Sequence, residues 1–252
     1  WAWAEGLHVR VKDAEYDQVV QTLMGMSQAP NVIVLLPWNQ RLLANDDRSA
    51  SQRVEDEMDF LQQAWAQTDR LKAKLVQVSY DWMGVGTLGY TLSTRRNGDA
   101  GLVQQVNAAL RAALPSGACF VDLESISAWA GKSAFYDERN YHWLKQPFSP
   151  EGLSALARHM ASALRSLKSG RRKVLVLDLD NTLWGGVVGE VGPHGIAIGG
   201  TAEGEAFAAF QKQLKRLRAT GVLLAVCSKN NDADAREPFE RNDQMVLKLD
   251  DF

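Results

Sequence analysis

Short apolar runs alternate with amphipathic segments along the first two thirds of the chain. Three of the apolar runs are predicted to be strands: residues 31–36, 74–80 and 118–123. Three amphipathic segments are predicted to be helices: residues 51–71, 99–114 and 149–167. The last helix has Ser149 available as a cap and Pro150 at its first position. Because helices separate the strands, we expect parallel pairing and a layered α/β sheet.

A second α/β series follows a polar, glycine-containing joint at residues 168–173. The elements predicted there are, in order, strand 174–180, helix 203–219, strand 221–227, a short helix ending at Phe239, and strand 245–249. The first two of these strands are apolar enough to be buried on both faces. We therefore expect an α/β protein of two three-layer domains, residues 1–168 and 169–252.

Charge and composition narrow the classes of function. The 252 residues contain 28 Lys and Arg against 30 Asp and Glu, a formal charge of −2, which argues against nucleic acid or an anionic membrane as the main partner. The chain is 46% hydrophobic and 23% charged, as in ordinary globular proteins. No apolar stretch approaches the roughly 20 residues of a membrane span, and the start lacks the features of an export signal.

The two cysteines, Cys119 and Cys227, lie far apart and outside any metal-binding spacing. A disulfide framework is therefore not expected, and a reducing, cytoplasmic compartment fits the sequence. The chain begins with Trp1 rather than Met. We expect it to be an internal piece of a longer protein.

The sharpest chemical signal is the sequence Asp178-Leu-Asp-Asn-Thr at the end of a predicted strand. Side chains alternate along a strand, so Asp178 and Asp180 point the same way while Leu179 points elsewhere. Two carboxylates at such a short distance repel each other, so they require a divalent cation or a raised pKa on one of them. With Mg²⁺ bound, Asp178 would be a nucleophile toward phosphate and Asp180 would move a proton to or from the leaving group. The alternative is a pair of solvated carboxylates in a turn.

The segments that follow two of the strands predict one binding crevice. Ligands of open α/β sheets gather at the carboxyl ends of the strands, where Asp178 and the run Ser228-Lys-Asn both fall. Glycines directly after the carboxylates would let main-chain N–H groups approach a phosphate, and Trp184 would line the substrate entrance. The residues expected to bind substrate are Thr182, Trp184, Gly185, Gly186, Ser228, Lys229 and Asn230.

These motifs carry a family resemblance. Residues 173–190, 195–199, 204–207 and 223–230 together resemble the FkbH-like branch (subfamily IIIC) of the haloacid dehalogenase superfamily. The resemblance implies an aspartyl nucleophile at Asp178, an acid/base at Asp180, a phosphate-binding hydroxyl at Ser228, and Mg²⁺ held by the Asp178 carboxylate and the Asp180 main-chain carbonyl. It further implies removal of phosphate from 1,3-bisphosphoglycerate and loading of the glyceryl group onto the phosphopantetheine thiol of an acyl carrier protein, for polyketide extender units.

Cys227 has two interpretations. Glyceryl transfer could pass through a thioester on this thiol, because a thiolate can attack the carbon of an acyl phosphate. Lys229 and a helix starting at Asn231 or Asp232 would favour the thiolate. The alternative is a buried packing residue, since a cysteine that ends an apolar strand usually lies in the core.

The family's phosphate-binding lysine and acidic metal-binding pair are expected beyond residue 252, so we expect this catalytic core to be incomplete, to bind metal and to turn over poorly. Asp250 and Asp251 are interpreted as the end of the third strand, not as the acidic pair.

In the resemblance, residues 1–168 correspond to a domain of SGNH-hydrolase-like, flavodoxin-like fold. The nucleophile motif Gly-Asp-Ser is absent, and the spacing of Asp137 and His142 does not match the family's later motif. We expect a non-catalytic role, such as docking of the carrier protein. The letters of a dinucleotide-binding motif at residues 84–89 are not followed by a helix start, so we interpret them as a loop.

Two other functions stay open. One is a plain phosphatase acting on a small phosphorylated metabolite, which would not depend on a carrier protein. The other is a non-enzymatic module that docks a carrier protein and keeps only a remnant of a catalytic core.

Overall fold

A computed structural model describes residues 1–15, 18–44, 47–83, 98–170 and 172–252. The chain divides into two compact units, residues 1–170 and 171–252. The loop predicted at residues 84–89 lies outside the described residues.

The first unit is built on a parallel sheet with helices between its strands. Its elements are α1 (Val19–Gly25), β1 (Val32–Leu35), α2 (Ala50–Arg70), β2 (Lys74–Val78), α3 (Asp99–Ala113), β3 (Cys119–Val121), α4 (Leu123–Ala130), α5 (Lys132–Phe135), α6 (Glu138–Leu144) and α7 (Pro150–Ser169). The strand order is β1-β2-β3, and all described pairs are parallel. The predicted α/β architecture with a parallel sheet is confirmed.

Strand β2 shows why this sheet has helices on both faces. Leu75 belongs to a core formed with α2 and α3, whereas Val76 and Val78 belong to a second core formed with α4, α5 and α7. Successive side chains of a strand point to opposite faces, so a strand that is apolar at both sets of positions needs cover on each side.

Local signals fix the ends of the long helices in this unit. Ser49 and Gln52 form a reciprocal capping box at the start of α2. At the start of α7 the Ser149 hydroxyl accepts a hydrogen bond from the Gly152 main chain, and Pro150 occupies the first helical position, as predicted.

The second unit has a two-stranded parallel sheet. Its elements are β4 (Val174–Leu177), α8 (Val188–Val191), α9 (Ala202–Ala219), β5 (Leu223–Val226), α10 (Asp232–Arg241) and a 3₁₀ turn (Leu249–Asp251). Val174 pairs with Leu223 and Leu177 with Val226. The core includes Leu177 from β4 and Leu224 from β5.

The prediction that both strands of this sheet are buried on both faces is wrong. Val176 is 60% exposed and Leu223 is 65% exposed. Leu177 and Leu224 face a core that contains Leu214 of α9 and Phe239 of α10. The alternate positions point to the other face, which the described elements of this unit leave exposed.

The predicted third strand at residues 245–249 is also wrong. The main-chain N–H groups of Val246 and Leu247 both donate to the side-chain oxygen of Gln211, each at 3.0 Å. A side chain therefore takes the hydrogen bonds that a neighbouring strand would take, and residues 249–251 continue as the 3₁₀ turn. Among the described residues, no helix has the length and apolar character that crossing a membrane requires.

Candidate active site

Asp178 and Asp180 lie directly after β4, on either side of an anchored leucine. Leu179 is 1% exposed and belongs to the core, whereas Asp178 is exposed and Asp180 is partly buried. One oxygen of Asp178 accepts a hydrogen bond from the Leu179 main chain at 2.8 Å. The burial pattern follows the predicted alternation, with the leucine inward and the carboxylates at the edge.

The Asp180 carboxylate is held by three N–H donors. Its Oδ1 accepts from the Trp184 indole at 3.0 Å and from the Val188 main chain at 3.1 Å, and its Oδ2 accepts from the Asn230 amide at 2.9 Å. The Asn230 contact joins the residues after β5 to the Asp180 carboxylate. Asp180 is thus fixed in place, while the Asp178 carboxylate keeps one oxygen without a protein donor among the described residues.

Trp184 does not line an entrance, which corrects the prediction. It is 0% exposed, and its ring packs edge-on against Phe239 with centroids 5.6 Å apart. A buried indole needs an acceptor for its N–H group, and Asp180 provides it. The role of Trp184 is to orient the carboxylate from inside the core.

The two glycines after Trp184 do not offer free main-chain donors, which is a second correction. The Gly185 N–H group donates to Ala197 at 3.0 Å, and the Gly186 N–H group donates to the Asn181 side chain at 2.9 Å. Glycine is needed here for other reasons. A Cβ atom on Gly185 would lie 3.0 Å from the Glu203 carboxylate, and Gly186 has a φ of +92°.

The residues after β5 lie at the same end of the sheet as Asp178. The Cys227 main chain donates to Leu177 at 2.8 Å, and the Ser228 hydroxyl accepts from the Asn230 main chain at 3.3 Å. Cys227 is exposed, so the interpretation as a buried packing residue is wrong. Lys229 is exposed and its ammonium has no protein partner in the described part of the chain.

Thr182 is partly buried in the turn that follows Asp180. Its main-chain N–H group donates to Leu179 at 3.1 Å. None of its described hydrogen bonds joins it to the residues after β5, so its role in substrate binding stays a prediction.

One residue of this site was missed in the sequence. Gln211 is 0% exposed, and its amide donates to the main-chain oxygen of Leu183 at 2.8 Å. It lies on α9 between Phe207 and Leu214, at the spacing of an apolar helix face. A glutamine inside such a stripe is the signal that could have identified it, because buried polar side chains need partners.

The donor set at the end of β4 fits a magnesium ion with few protein ligands. Within the described residues no group of three or more His, Cys, Asp or Glu side chains could hold a metal. Because three N–H groups occupy the Asp180 carboxylate, Asp178 is the carboxylate of this pair that could hold the ion. The Asp180 main-chain oxygen as a second ligand stays a prediction. Mg²⁺ characteristically keeps several waters and binds one or two carboxylates together with substrate phosphates.

The Asp251 carboxylate is paired with two basic side chains of α9. It is 7% exposed and pairs with Lys215 at 3.4 Å and Arg218 at 3.3 Å. Asp250 and Asp251 lie in a 3₁₀ turn and do not end a strand, so the prediction of a strand there is wrong. That they are not the acidic metal-binding pair stays a prediction.

Comparison with known proteins gives one structural match of full coverage. No family model matches the chain, and no curated protein matches it. The chain is similar to the crystal structure of the N-terminal part of the protein BF1531 from Bacteroides fragilis, which contains a phosphatase domain and is complexed with Mg. The TM-score is 0.82 and the identity 28%, and the match covers 100% of this chain and 69% of that chain.

This likeness shows an α/β protein with parallel sheets that resembles a protein with a phosphatase domain. The FkbH-like and SGNH-hydrolase-like assignments, the domain boundaries and the site residues stay predictions.

Proposed function

We propose that the chain is a Mg²⁺-dependent phosphatase of the haloacid dehalogenase type, with Asp178 as the nucleophile. The observation that carries the proposal is the difference between the two carboxylates after β4. Asp178 is exposed and one of its oxygens has no donor among the described residues, whereas Asp180 is held by three N–H groups. The similarity to a protein whose phosphatase domain was crystallised with Mg supports the same reaction class.

The reaction divides into two displacements at phosphorus. In the first, an Asp178 oxygen attacks the phosphorus, the bond to the leaving oxygen breaks, and that oxygen takes a proton from the Asp180 carboxyl. In the second, Asp180 takes a proton from water as the water attacks the aspartyl phosphate, which releases inorganic phosphate and restores Asp178. When bound, Mg²⁺ held by Asp178 and the Asp180 main-chain oxygen would neutralise charge on the phosphate.

Ser228 and Lys229 are suited to hold the phosphate during this reaction. Their position after β5 is next to the end of β4, and a hydroxyl and an ammonium are both donors to phosphate oxygens. We expect Lys229→Ala to raise KM more than it lowers kcat, because its charge acts on substrate and transition state alike.

The test is phosphate release from p-nitrophenyl phosphate with and without MgCl₂. We expect EDTA and Asp178→Asn each to abolish this release. We expect Asp180→Asn to lower phosphate release from glycerol 2-phosphate, whose leaving group needs a proton, by about 10²-fold or more. Asp243→Asn, an exposed carboxylate elsewhere in the second unit, is the matched control and should leave release unchanged. Activity of Asp178→Asn equal to that of the parent chain would refute the proposal.

A finer proposal concerns the substrate. By the family resemblance, we propose that the substrate is 1,3-bisphosphoglycerate and that its glyceryl group passes to the phosphopantetheine thiol of an acyl carrier protein. The exposed thiol of Cys227, hydrogen-bonded through its main chain to the end of β4, supports a covalent step. The Cys227 thiolate would attack the acyl carbon and expel the 1-phosphate, and Asp178 would remove the 3-phosphate by the two displacements described above. The carrier thiolate would then attack the glyceryl thioester and release the Cys227 thiolate.

Intact-mass measurement of a carrier protein bearing phosphopantetheine tests this step. We expect a glyceryl mass on the carrier with the parent chain and none with Cys227→Ala. Cys119→Ala, the other cysteine, should load normally. Normal loading by Cys227→Ala would refute the covalent role, and phosphate release without any loading would favour the plain phosphatase.

A further inference from the structure

Gln211 joins three separate parts of the second unit through one buried amide. Its Nε2 donates to the Leu183 main-chain oxygen at 2.8 Å and contacts the Met245 sulfur at 3.5 Å. Its Oε1 accepts from the main chains of Val246 and Leu247, each at 3.0 Å. A primary amide has two donors and two acceptor positions, so these contacts use its full capacity.

The Leu183 contact leads directly to the acid/base carboxylate. Leu183 and Trp184 are adjacent and both 0% exposed, and the Trp184 indole donates to Asp180. A shift of the Leu183 main chain would move the Trp184 ring, because the two residues share a peptide bond in a close-packed core. Gln211 therefore bears on the position of Asp180 without touching it.

A second route runs through aromatic rings. Trp184 packs against Phe239 at 5.6 Å, and Phe239 packs against Phe252 at 5.3 Å. The hydrogen bonds of Gln211 and these ring contacts both involve residues 245–252, which we call the 245–252 segment. This segment therefore supports Trp184 through the Gln211 amide and through a stack of rings.

The 245–252 segment is itself anchored to α9. The buried Asp251 carboxylate pairs with Lys215 and Arg218, and it accepts a hydrogen bond from the Lys248 main chain at 2.9 Å. Gln211, Lys215 and Arg218 all lie on α9. One helix thus carries both the anchor of the segment and the amide that transmits its position to Leu183.

We propose that Gln211 is a positioning residue, which together with the 245–252 segment fixes Trp184 so that its indole holds Asp180 for proton transfer. The inference rests on the proposed phosphatase function. In kcat/KM, which reports the first displacement, it predicts a defect that is specific for protonation of the leaving group, because Asp180 acts there as an acid. The base role of Asp180 belongs to the second displacement and affects kcat.

Two substrates separate this defect from a general loss of structure. The p-nitrophenolate ion leaves p-nitrophenyl phosphate without a proton, whereas the alkoxide of glycerol 2-phosphate requires one. We expect Gln211→Met to lower kcat/KM for glycerol 2-phosphate by about tenfold or more and to change that for p-nitrophenyl phosphate much less. Gln213→Met, the same change at an exposed position of α9, is the control and should alter neither.

Two further variants keep the test independent of the folding of Gln211→Met. Gln211→Glu retains an oxygen that accepts from Val246 and Leu247 but replaces the Nε2 group, so it removes the donor to the Leu183 oxygen and the contact with the Met245 sulfur. Phe252→Leu weakens the ring contact with Phe239 and leaves the hydrogen bonds of Gln211 in place. We expect both variants to show the same preference for the activated substrate, and circular dichroism will report whether each is folded.

The dependence on Asp180 completes the test. In an Asp180→Asn background we expect Gln211→Glu to have no additional effect on glycerol 2-phosphate. An equal loss on both substrates, or a loss that persists in that background, would overturn the positioning role while leaving the phosphatase function intact. A parent chain that releases phosphate from neither substrate would instead overturn the proposed function itself.

Discussion

A buried carboxylate in the first unit, Asp81, is the clearest place to test how this fold is held together. Its side chain is fully buried three residues after β2, and it accepts hydrogen bonds from the Ser127 hydroxyl and the Tyr136 hydroxyl, each at 2.5 Å. The Trp82 main chain donates at 2.8 Å, and the Lys132 ammonium pairs with the same carboxylate. Burial and the Asp81 charge raise the pKa of Tyr136, so its hydroxyl remains a donor.

The substitution Asp81→Asn keeps the shape of the side chain and removes its charge. Loss of one partner from a buried ion pair costs about 3–5 kcal/mol, because the remaining charge is left uncompensated. The Lys132 side chain is 22% exposed. Water can therefore solvate its ammonium in part, and we expect the lower end of that range, about 3 kcal/mol.

The assay is thermal unfolding followed by calorimetry. In a unit of this size 1 kcal/mol corresponds to about 2–4 °C, so the transition of the first unit should fall by about 6–12 °C. Asp59→Asn, an exposed carboxylate on α2 without a partner among the described residues, is the matched control. It should melt within about 2 °C of the parent chain.

A double-mutant cycle tests whether the ion pair between Asp81 and Lys132 causes the loss of stability. Lys132→Met alone leaves the Asp81 carboxylate buried without its cation, whereas the double variant removes both charges. We expect the double variant to be more stable than the sum of the single losses predicts, by about 1 kcal/mol or more. Additive losses, or an Asp81→Asn variant that melts with the control, would show that the reasoning is wrong.

Three other predictions address the two units separately. Trp184→Phe keeps a ring in the core but removes the donor to Asp180, so steady-state kinetics should show a fall in kcat of about tenfold, with KM little changed. Burial and a neighbouring carboxylate raise the pKa of Glu124 above its ordinary 4.5. The stability that protonated Glu124 contributes is present below pH 4.5 and is lost as the pH rises through the raised pKa of the folded state. We therefore expect Glu124→Gln to raise the melting temperature at neutral pH but to leave it unchanged below pH 4.5, as thermal unfolding at the two pH values will show. Gly152→Ala would place a methyl group 2.1 Å from the main-chain oxygen of Phe135, so urea unfolding should show that the free energy of unfolding falls by about 1–3 kcal/mol. The control Gly25→Ala meets no atom within 4 Å and should not show the loss that such a clash causes.

The sequence predicts the three strands and the three long helices of the first unit because their signals are local, whereas the short helices α1, α4, α5 and α6 were not predicted. The run 74–80 contains β2, and the amphipathic segment 51–71 covers all of α2 except its first residue. Ser149 caps α7 as expected, since a cap needs only the next few residues of the same chain. Parallel pairing follows from the alternation of strand and helix, which is also visible in the sequence.

The errors in the second unit arise where partners come from far along the chain. Residues 245–249 have the apolar composition of a strand, but Gln211, more than thirty positions earlier, takes their main-chain hydrogen bonds. Similarly, Val176 has the side chain of a buried strand residue but lies on the exposed face of its sheet. An apolar composition indicates that a segment is able to form a buried strand. Whether it does so depends on the other elements that pack against it.

The pair Asp178 and Asp180 shows the same limit at the site itself. Their spacing of two predicts a common edge of the sheet, and the buried Leu179 between them agrees. The spacing does not predict which of the two carboxylates is held by hydrogen bonds. The donors to Asp180 come from Trp184, Val188 and Asn230, which lie in separate parts of the chain. Those contacts hold the Asp180 carboxylate in place and leave one Asp178 oxygen without a donor among the described residues. This asymmetry is what the proposed nucleophile and acid/base require.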